Sequence, residues 1–347
     1  MPPADHATDA PELPGGILRF TLPMPPPLGH VHVWLIPTGN GWAMFDAGFP
    51  SPKGVDKLEQ EIQPLLTDGR RLDAVFISHY HPDHTAFAGR LQRAFDCDVY
   101  VHEADWERMQ MMNAMRHADD GSGEAFRRRF SSGWTESLDD HQFDGEQSQD
   151  ASDSMFSRMR DAMKDIELPM PEPTVLQGGE VIEVGGRNLE AIWTPGHTDG
   201  HLCVRELDQD ALFTGDHLLG RITPHIGMWP DQERSPLPDF EESLKLVQEL
   251  NSSIALPAHE AIIEQPAERA AEILEHHQER RVEMLNAVSD GNHSVKDIAI
   301  QTFPKRAHDR MQLTMAMSET VAHLEALVEE DKLTRSGGDV ERRYTLV

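Results

Sequence analysis

Short apolar runs, each closed by glycine, proline or a polar cluster, recur along the chain and alternate with stretches of helical period. Gly16 to Leu22 alternates apolar and polar like an edge strand, and Pro23 to Pro27 forms a stiff loop. His30 to Pro37 and Gly41 to Asp46 flank Thr38-Gly39-Asn40-Gly41, a hairpin signal. Val55 to Leu66 places Val55, Leu58, Ile62 and Leu65 on one face of a helix. Ala74 to Ile77 then reads as a buried strand, Thr85 to Phe95 as a helix and Cys97 to Val101 as the next strand. Strand, helix and strand in this order predict a layered α/β architecture with helices on the sheet faces.

The pattern changes from about residue 105 to 172, which is poor in β-branched residues and holds eight of the sixteen methionines. Met109, Met112, Arg116 and Met155, Met159, Met163 fall at helical spacing, with Gly121-Ser122-Gly123 and Asp139 to Asp153 as joints, so two or three inserted helices are expected. Adaptable methionine faces suit a lid over an acyl chain; the simpler reading is that they pack the insertion onto the body. Strands resume at Thr174 to Leu176, Glu180 to Val184, Leu189 to Trp193, Leu202 to Glu206, Ala211 to Thr214 and Ile254 to Leu256. From Pro266 onward a long helical stretch, two further helices and a ribbon around Ser336-Gly337-Gly338-Asp339 give a winged-helix-like pattern. The expected organisation is a tail at 1–15, a catalytic domain at 16–265 carrying the insertion, and a C-terminal module at 266–347.

Composition narrows the function. The net charge of −29, from 31 basic and 60 acidic side chains, repels phosphate backbones and anionic lipid, which counts against a nucleic-acid or membrane partner. Residues 271–347 carry 14 acidic and 10 basic side chains, a net of −4, so the C-terminal module lacks the basic face that DNA requires and reads as a packing or homodimerisation element. The His276-His277 pair within it reads as surface helix. Cys97 and Cys203 sit in apolar strand-like surroundings and are expected as buried free thiols. With no membrane-length apolar run and no signal-peptide pattern in the first fifteen residues, a soluble cytoplasmic protein is expected.

Candidate chemistry gathers where strands end. Ser78-His79-Tyr80-His81-Pro82-Asp83-His84 follows the Ala74 to Ile77 strand, and three imidazoles and a carboxylate within six positions suit a borderline divalent metal. His197 stands on the glycine-bearing turn after Trp193, Asp216 follows the strand ending at Thr214, and His259 follows Ile254 to Leu256. Four strand ends thus deliver metal-type ligands.

His79-x-His81-x-Asp83-His84, Pro195-Gly196-His197-Thr198-x-Gly200-His201, Gly215-Asp216 and Pro257-Ala258-His259 resemble the ordered motifs of the metallo-β-lactamase superfamily, in the branch with glyoxalase II, N-acyl-homoserine lactonases and β-lactamase-like endoribonucleases. The resemblance covers about residues 16–265 and implies an αββα sandwich with two divalent metals, zinc first and iron or manganese as alternatives, at one edge. It implies one metal on His79, His81 and His197, the other on Asp83, His84 and His259, and Asp216 bridging. In β-lactamases of the superfamily cysteine or serine replaces that aspartate, so Asp216 argues against an antibiotic-resistance role. Asp46 resembles the family's buried turn aspartate, and His201 is expected to orient other groups rather than bind metal.

Two clamped divalent ions lower the pKa of a shared water toward neutrality and polarise a carbonyl, so the expected nucleophile is a bridging hydroxide. Asp83 and Asp216 are the candidate catalytic carboxylates; both also serve as plain ligands, and the sequence leaves the two roles open. His225 is a candidate substrate donor and equally an ordinary loop histidine, and Tyr80 faces core or pocket. The expected activity is hydrolysis of a small acyl substrate, a thioester, ester or lactone. An endoribonuclease and a mononuclear iron sulfur dioxygenase are the alternatives.

Overall fold

The computed structural model describes residues 13–25, 28–117, 138, 141, 170–229, 232–338 and 342–347. Strands β1 (Leu18–Pro23), β2 (His30–Pro37), β3 (Gly41–Phe45), β4 (Arg71–Phe76), β5 (Asp98–His102) and β6 (Thr174–Leu176) form one sheet in that order. Its first three strands are antiparallel and the last four run parallel. Strands β7 (Val181–Val184), β8 (Arg187–Trp193), β9 (Leu202–Glu206), β10 (Ala211–Gly215) and β11 (Ile254–Pro257) form the second sheet, antiparallel until the parallel β10–β11 pair.

Apolar residues on alternate strand positions decide how the layers stack. Trp34, Phe45 and Phe76 of the first sheet meet Val204, Phe213 and Leu256 of the second in one buried cluster, so the sheets pack face to face. On the outer face of the first sheet, Val33, Leu35, Met44 and Val75 cover Leu58 and Ile62 of α1 (Pro52–Ile62), Leu91 of α3 (Ala88–Phe95) and Met109 of α4 (Glu103–His117). On the outer face of the second, Cys203, Leu212 and Ala255 meet Phe240, Leu244 and Val247 of α5 (Leu237–Leu250) and Ile273 of α6 (Pro266–Ser289). Helix, sheet, sheet, helix is the αββα sandwich that the resemblance implies. Each large side chain buried in these layers contributes about 1.5–3 kcal/mol, and Phe45, Phe76, Phe213 and Phe240 are among the largest fully buried.

Helix α5 falls in a stretch for which the sequence pattern predicts no element. Pro236 and Pro238 look like a break, but they occupy its N-cap and first turn, where a missing N–H costs nothing. The long helix α6 spans two cores: Ala270 and Ile273 pack with α5, while Met284, Ala287 and Val288 pack with α7 (Val295–Thr302) and α8 (Arg310–Glu329). The ribbon β12 (Leu333–Ser336) and β13 (Arg343–Leu346) closes the C-terminal module. His277 corrects the surface reading of the pair: it is buried, its Nδ1–H donating to His323 Nε2 at 3.1 Å, and the His323 Nδ1–H donates to the Glu319 carbonyl. His276 beside it is half-buried. Cys97 and Cys203 are both free and buried, as expected. Most of the expected helical insertion, including Met155, Met159 and Met163, lies outside the described residues. Among those described, no helix is long and apolar enough to cross a membrane.

Candidate metal centre

Every predicted ligand sits just beyond a strand. The chain leaves β4 into Ser78–His81 and turns through the short helix α2 (Pro82–Thr85), which carries Asp83 and His84. The loop after β8 carries His197, the turn after β10 Asp216, and the end of β11 His259. Backbone hydrogen bonds sew these loops together: the Leu202 N–H donates to Ser78 O at 2.7 Å, and the Ala258 N–H to Gly215 O at 3.0 Å. Gly196 has φ +138°, and a Cβ there would lie 2.3 Å from that of Phe240, so only glycine lets the His197 loop settle on α5.

Three overlapping groups result. His79, His81 and His197 form one, His79, His84 and Asp216 a second, and Asp83, His84 and His259 a third, the ligand atoms of each lying within 4.8 Å of one another. His81 Nδ1 lies 2.8 Å from His79 Nε2 and 3.1 Å from His197 Nε2. Asp216 lies between the outer groups: Oδ2 is 3.7 Å from both His84 Nε2 and His197 Nε2, and Oδ1 is 3.3 Å from His259 Nε2. Asp83 Oδ2 is 3.5 Å from both His84 Nε2 and His259 Nε2.

Acceptors behind the rings fix which nitrogen faces inward. His84 Nδ1–H donates to Asp46 Oδ2 at 2.7 Å, His259 Nδ1–H to His30 O at 2.7 Å and His197 Nδ1–H to His225 O at 3.0 Å. His79 Nδ1–H donates to Ser78 Oγ at 2.9 Å, whose own proton goes to Asp46 Oδ2 at 3.0 Å. Four imidazoles therefore turn Nε2 toward one another and toward two carboxylates. His84 Nε2, His259 Nε2 and Asp216 Oδ1 are buried without a hydrogen-bond partner. Acceptors facing acceptors in a buried volume repel unless cations lie between them, so the donor set fits the divalent metals of the fold.

Without metal, these carboxylates draw positive charge, and so protons, into the volume that cations would fill. Burial drives the His79 imidazole far below its ordinary pKa, aided by its imidazole neighbours, and drives His81 to about 3. Burial opposes charge on His84 and His259 too, but there the carboxylates win: Asp46, Asp83 and Asp216 raise His84, and Asp216 and Asp83 raise His259. Burial alone would raise Asp83 and Asp216; instead His84 holds Asp83 well below the usual carboxylate range, and His259 and His84 do the same for Asp216. Both carboxylates are thus anionic at neutral pH, as hard metal ligands must be.

The remaining expected residues fall around this cluster. Asp46, at φ +65°, takes the Ser78 N–H at 2.8 Å as well as His84 and the Ser78 hydroxyl. His201 contacts Thr194 Oγ1 at 2.9 Å and accepts the Asp216 N–H on Nε2 at 3.3 Å, so it braces the turn that presents Asp216. His225 reaches the cluster through its carbonyl; its ring turns to α8, with Nε2 3.1 Å from Ser318 Oγ. Tyr80 packs against the α1–α3 side of the first sheet, with Arg108 over its ring.

Asp105 is one residue that sequence reasoning missed. Buried at the start of α4, it accepts the Tyr80 N–H, the Thr198 hydroxyl and the Gly200 N–H, each at 2.8 Å, and so joins the His79–His81 loop to the His197 loop. Burial pushes its pKa up to about 7 against these three donors. A Cβ on Gly200 would sit 2.5 Å from the Asp105 backbone nitrogen, so the contact also needs that glycine. The signal available was an acid two residues past a strand-end His102-Glu103, too common a feature to single out.

An αββα sandwich with a His and Asp cluster at the strand ends defines a metal-binding class of protein, and the comparisons name it. The metallo-beta-lactamase superfamily profile matches residues 26–259, and that of the metallo-beta-lactamase-like C-terminal domain matches 282–346. The chain belongs to the metallo-beta-lactamase superfamily. It is similar to an atrochrysone carboxyl ACP thioesterase of Aspergillus fumigatus, 30% identical over 122 residues, which are 35% of this chain and 36% of that protein. Lactamase-like protein nscB of the same organism is 34% identical over 116 residues, 33% of this chain and 32% of that one. The match thus spans about a third of the length of these curated relatives. Among solved structures, a metallo-beta-lactamase family protein from Thermus thermophilus aligns with a TM-score of 0.75 and 26% identity, over 96% of this chain and 99% of that one. A beta-lactamase domain protein from Burkholderia ambifaria aligns at 0.76 and 25%, over 96% and 93%.

Proposed function

We propose that the chain is a binuclear metal-dependent hydrolase of small acyl substrates, thioesters first, with esters and lactones as the nearest alternatives. The observation that carries this is the inward-facing acceptor set, its imidazoles locked from behind by Asp46, His30, Ser78 and His225. His79, His81 and His197 would hold one cation and Asp83, His84 and His259 the other, with Asp216 between them; nitrogen and carboxylate ligands together suit zinc, and admit iron or manganese. When bound, such ions supply an acidified water and a polarised carbonyl.

The chain's own groups do the rest. Asp216 and Asp83 hold the attacking water by accepting its hydrogen bonds, and Asp83, whose side chain keeps 15% of its surface exposed, passes the proton to the leaving sulfur or oxygen. The charge of −29 favours a carbonyl over a phosphodiester substrate. The relative named as a thioesterase supports the thioester as the first leaving group to try.

The test is the initial rate of metal-replete protein on matched acyl thioesters, aryl esters, lactones and a short RNA, with His84→Ala as control. A dominant acyl rate that disappears in the variant is expected. Cleavage of RNA alone, or full activity in His84→Ala, would overturn the reading.

A further inference from the structure

Helix α8 lies outside the sandwich, and its middle is both buried and polar. Leu313, Ala316, Met317, Val321 and Leu324 fill the C-terminal core, while Ser318 and Glu319 among them are buried, at 0% and 7% exposure. A buried hydroxyl and carboxylate are costly unless they are used. Both face the loop that follows Asp216. The Ser318 hydroxyl donates to the Met315 carbonyl at 2.9 Å, which leaves its oxygen to accept from His225 Nε2–H at 3.1 Å. The Ser318 carbonyl accepts the Met228 N–H at 3.0 Å. A Glu319 carboxylate oxygen lies 3.8 Å from His225 Nδ1 and accepts from Arg306 at 2.9 Å. Gly227 seals the seat, since a Cβ there would stand 2.7 Å from Ser318 Oγ.

The other side of this loop is the His225 carbonyl that accepts from His197 Nδ1–H. We propose that Ser318 and Glu319 are positioning residues of the metal centre: by seating His225 they hold its carbonyl where it keeps His197 Nε2 turned to the cation. The C-terminal module is then a working part of the site, reaching it through one loop. This rests on the reading of His197 as a metal ligand.

The experiment is zinc affinity of the full chain by competition with a chromophoric chelator, for Ser318→Ala, Glu319→Gln, His197→Ala and the two combinations with His197→Ala. Groups that touch a ligand directly weigh roughly tenfold or more in affinity, and Ser318 and Glu319 act one step further back through His225, so each α8 variant should bind zinc roughly three- to tenfold more weakly. Ser318→Ala removes a single hydroxyl and should leave the metal-free melting temperature near that of the parent, which keeps the test open if Glu319→Gln folds poorly. In the His197→Ala background neither substitution should weaken binding further, an outcome that mere loosening of the module would not produce. Parental affinity in both α8 variants, or equal weakening with and without His197, would overturn the proposal while leaving the metal assignment standing. Parental affinity in His197→Ala alone would overturn the assignment itself.

Discussion

Asp216→Asn should lower kcat on a thioester roughly a thousandfold or more, about 4 kcal/mol of transition-state stabilisation. The two side chains have the same shape, so the fold is kept. What changes is that one inward oxygen becomes an NH2 group. Asp216 is the carboxylate whose two oxygens face His84 and His197 on one side and His259 on the other. An amide donor at either position points a positive end at a site built for cations, and the anionic charge that ties the groups together is lost. Metal content read alongside kcat decides between causes. A variant that holds the parental metal complement and stays within tenfold in kcat would remove Asp216 from between the groups.

The largest effect on stability is expected at Asp46. Its carboxylate is fully buried and accepts the Ser78 N–H, the Ser78 hydroxyl and His84 Nδ1–H. Asp46→Ala strands those donors in a dry interior and leaves the raised charge of His84 without its nearest partner. Breaking such a buried pair costs about 3–5 kcal/mol. The backbone at φ +65° adds to the cost, because alanine tolerates that region less readily than aspartate or asparagine. Asp46→Asn should be milder, keeping the turn and one acceptor. Urea unfolding of the metal-free proteins measures this directly, and a loss below about 1 kcal/mol in Asp46→Ala would contradict the role given to Asp46.

These two residues were legible in the sequence for the same reason as the ligands. Each is a chemistry-bearing side chain one or two positions beyond an apolar run, and in an α/β sandwich the strand ends converge on one edge. Asp46 was visible as an acid followed by a glycine at the end of β3, and the Asp46–His84 contact follows once β3 and β4 pair in parallel. Most of the other supports behind the ligands were not legible. His30 and His225 hold their partners with backbone carbonyls, which carry no residue-specific signal. Asp105 matters only because α4 starts where the two histidine loops meet, a tertiary fact. Ser318 and Glu319 lie far along the chain from His197, and their side chains look like any polar pair on a helix until α8 is seen to be buried. His277 misled for a related reason: a His-His pair on a charged helix reads as solvent-facing, but His323 on α8 gives it a partner inside the core.

If two cations complete the inward-facing acceptor set, acyl hydrolysis depends on both of them. The most direct measurement is to strip the protein with a chelator, add zinc back in steps, and record bound metal and thioester hydrolysis on the same samples. The expected result is a silent stripped protein and a rate that reaches its plateau at two zinc ions per chain. A full rate in the stripped protein, or a plateau at one ion per chain with the second group never filled, would contradict it.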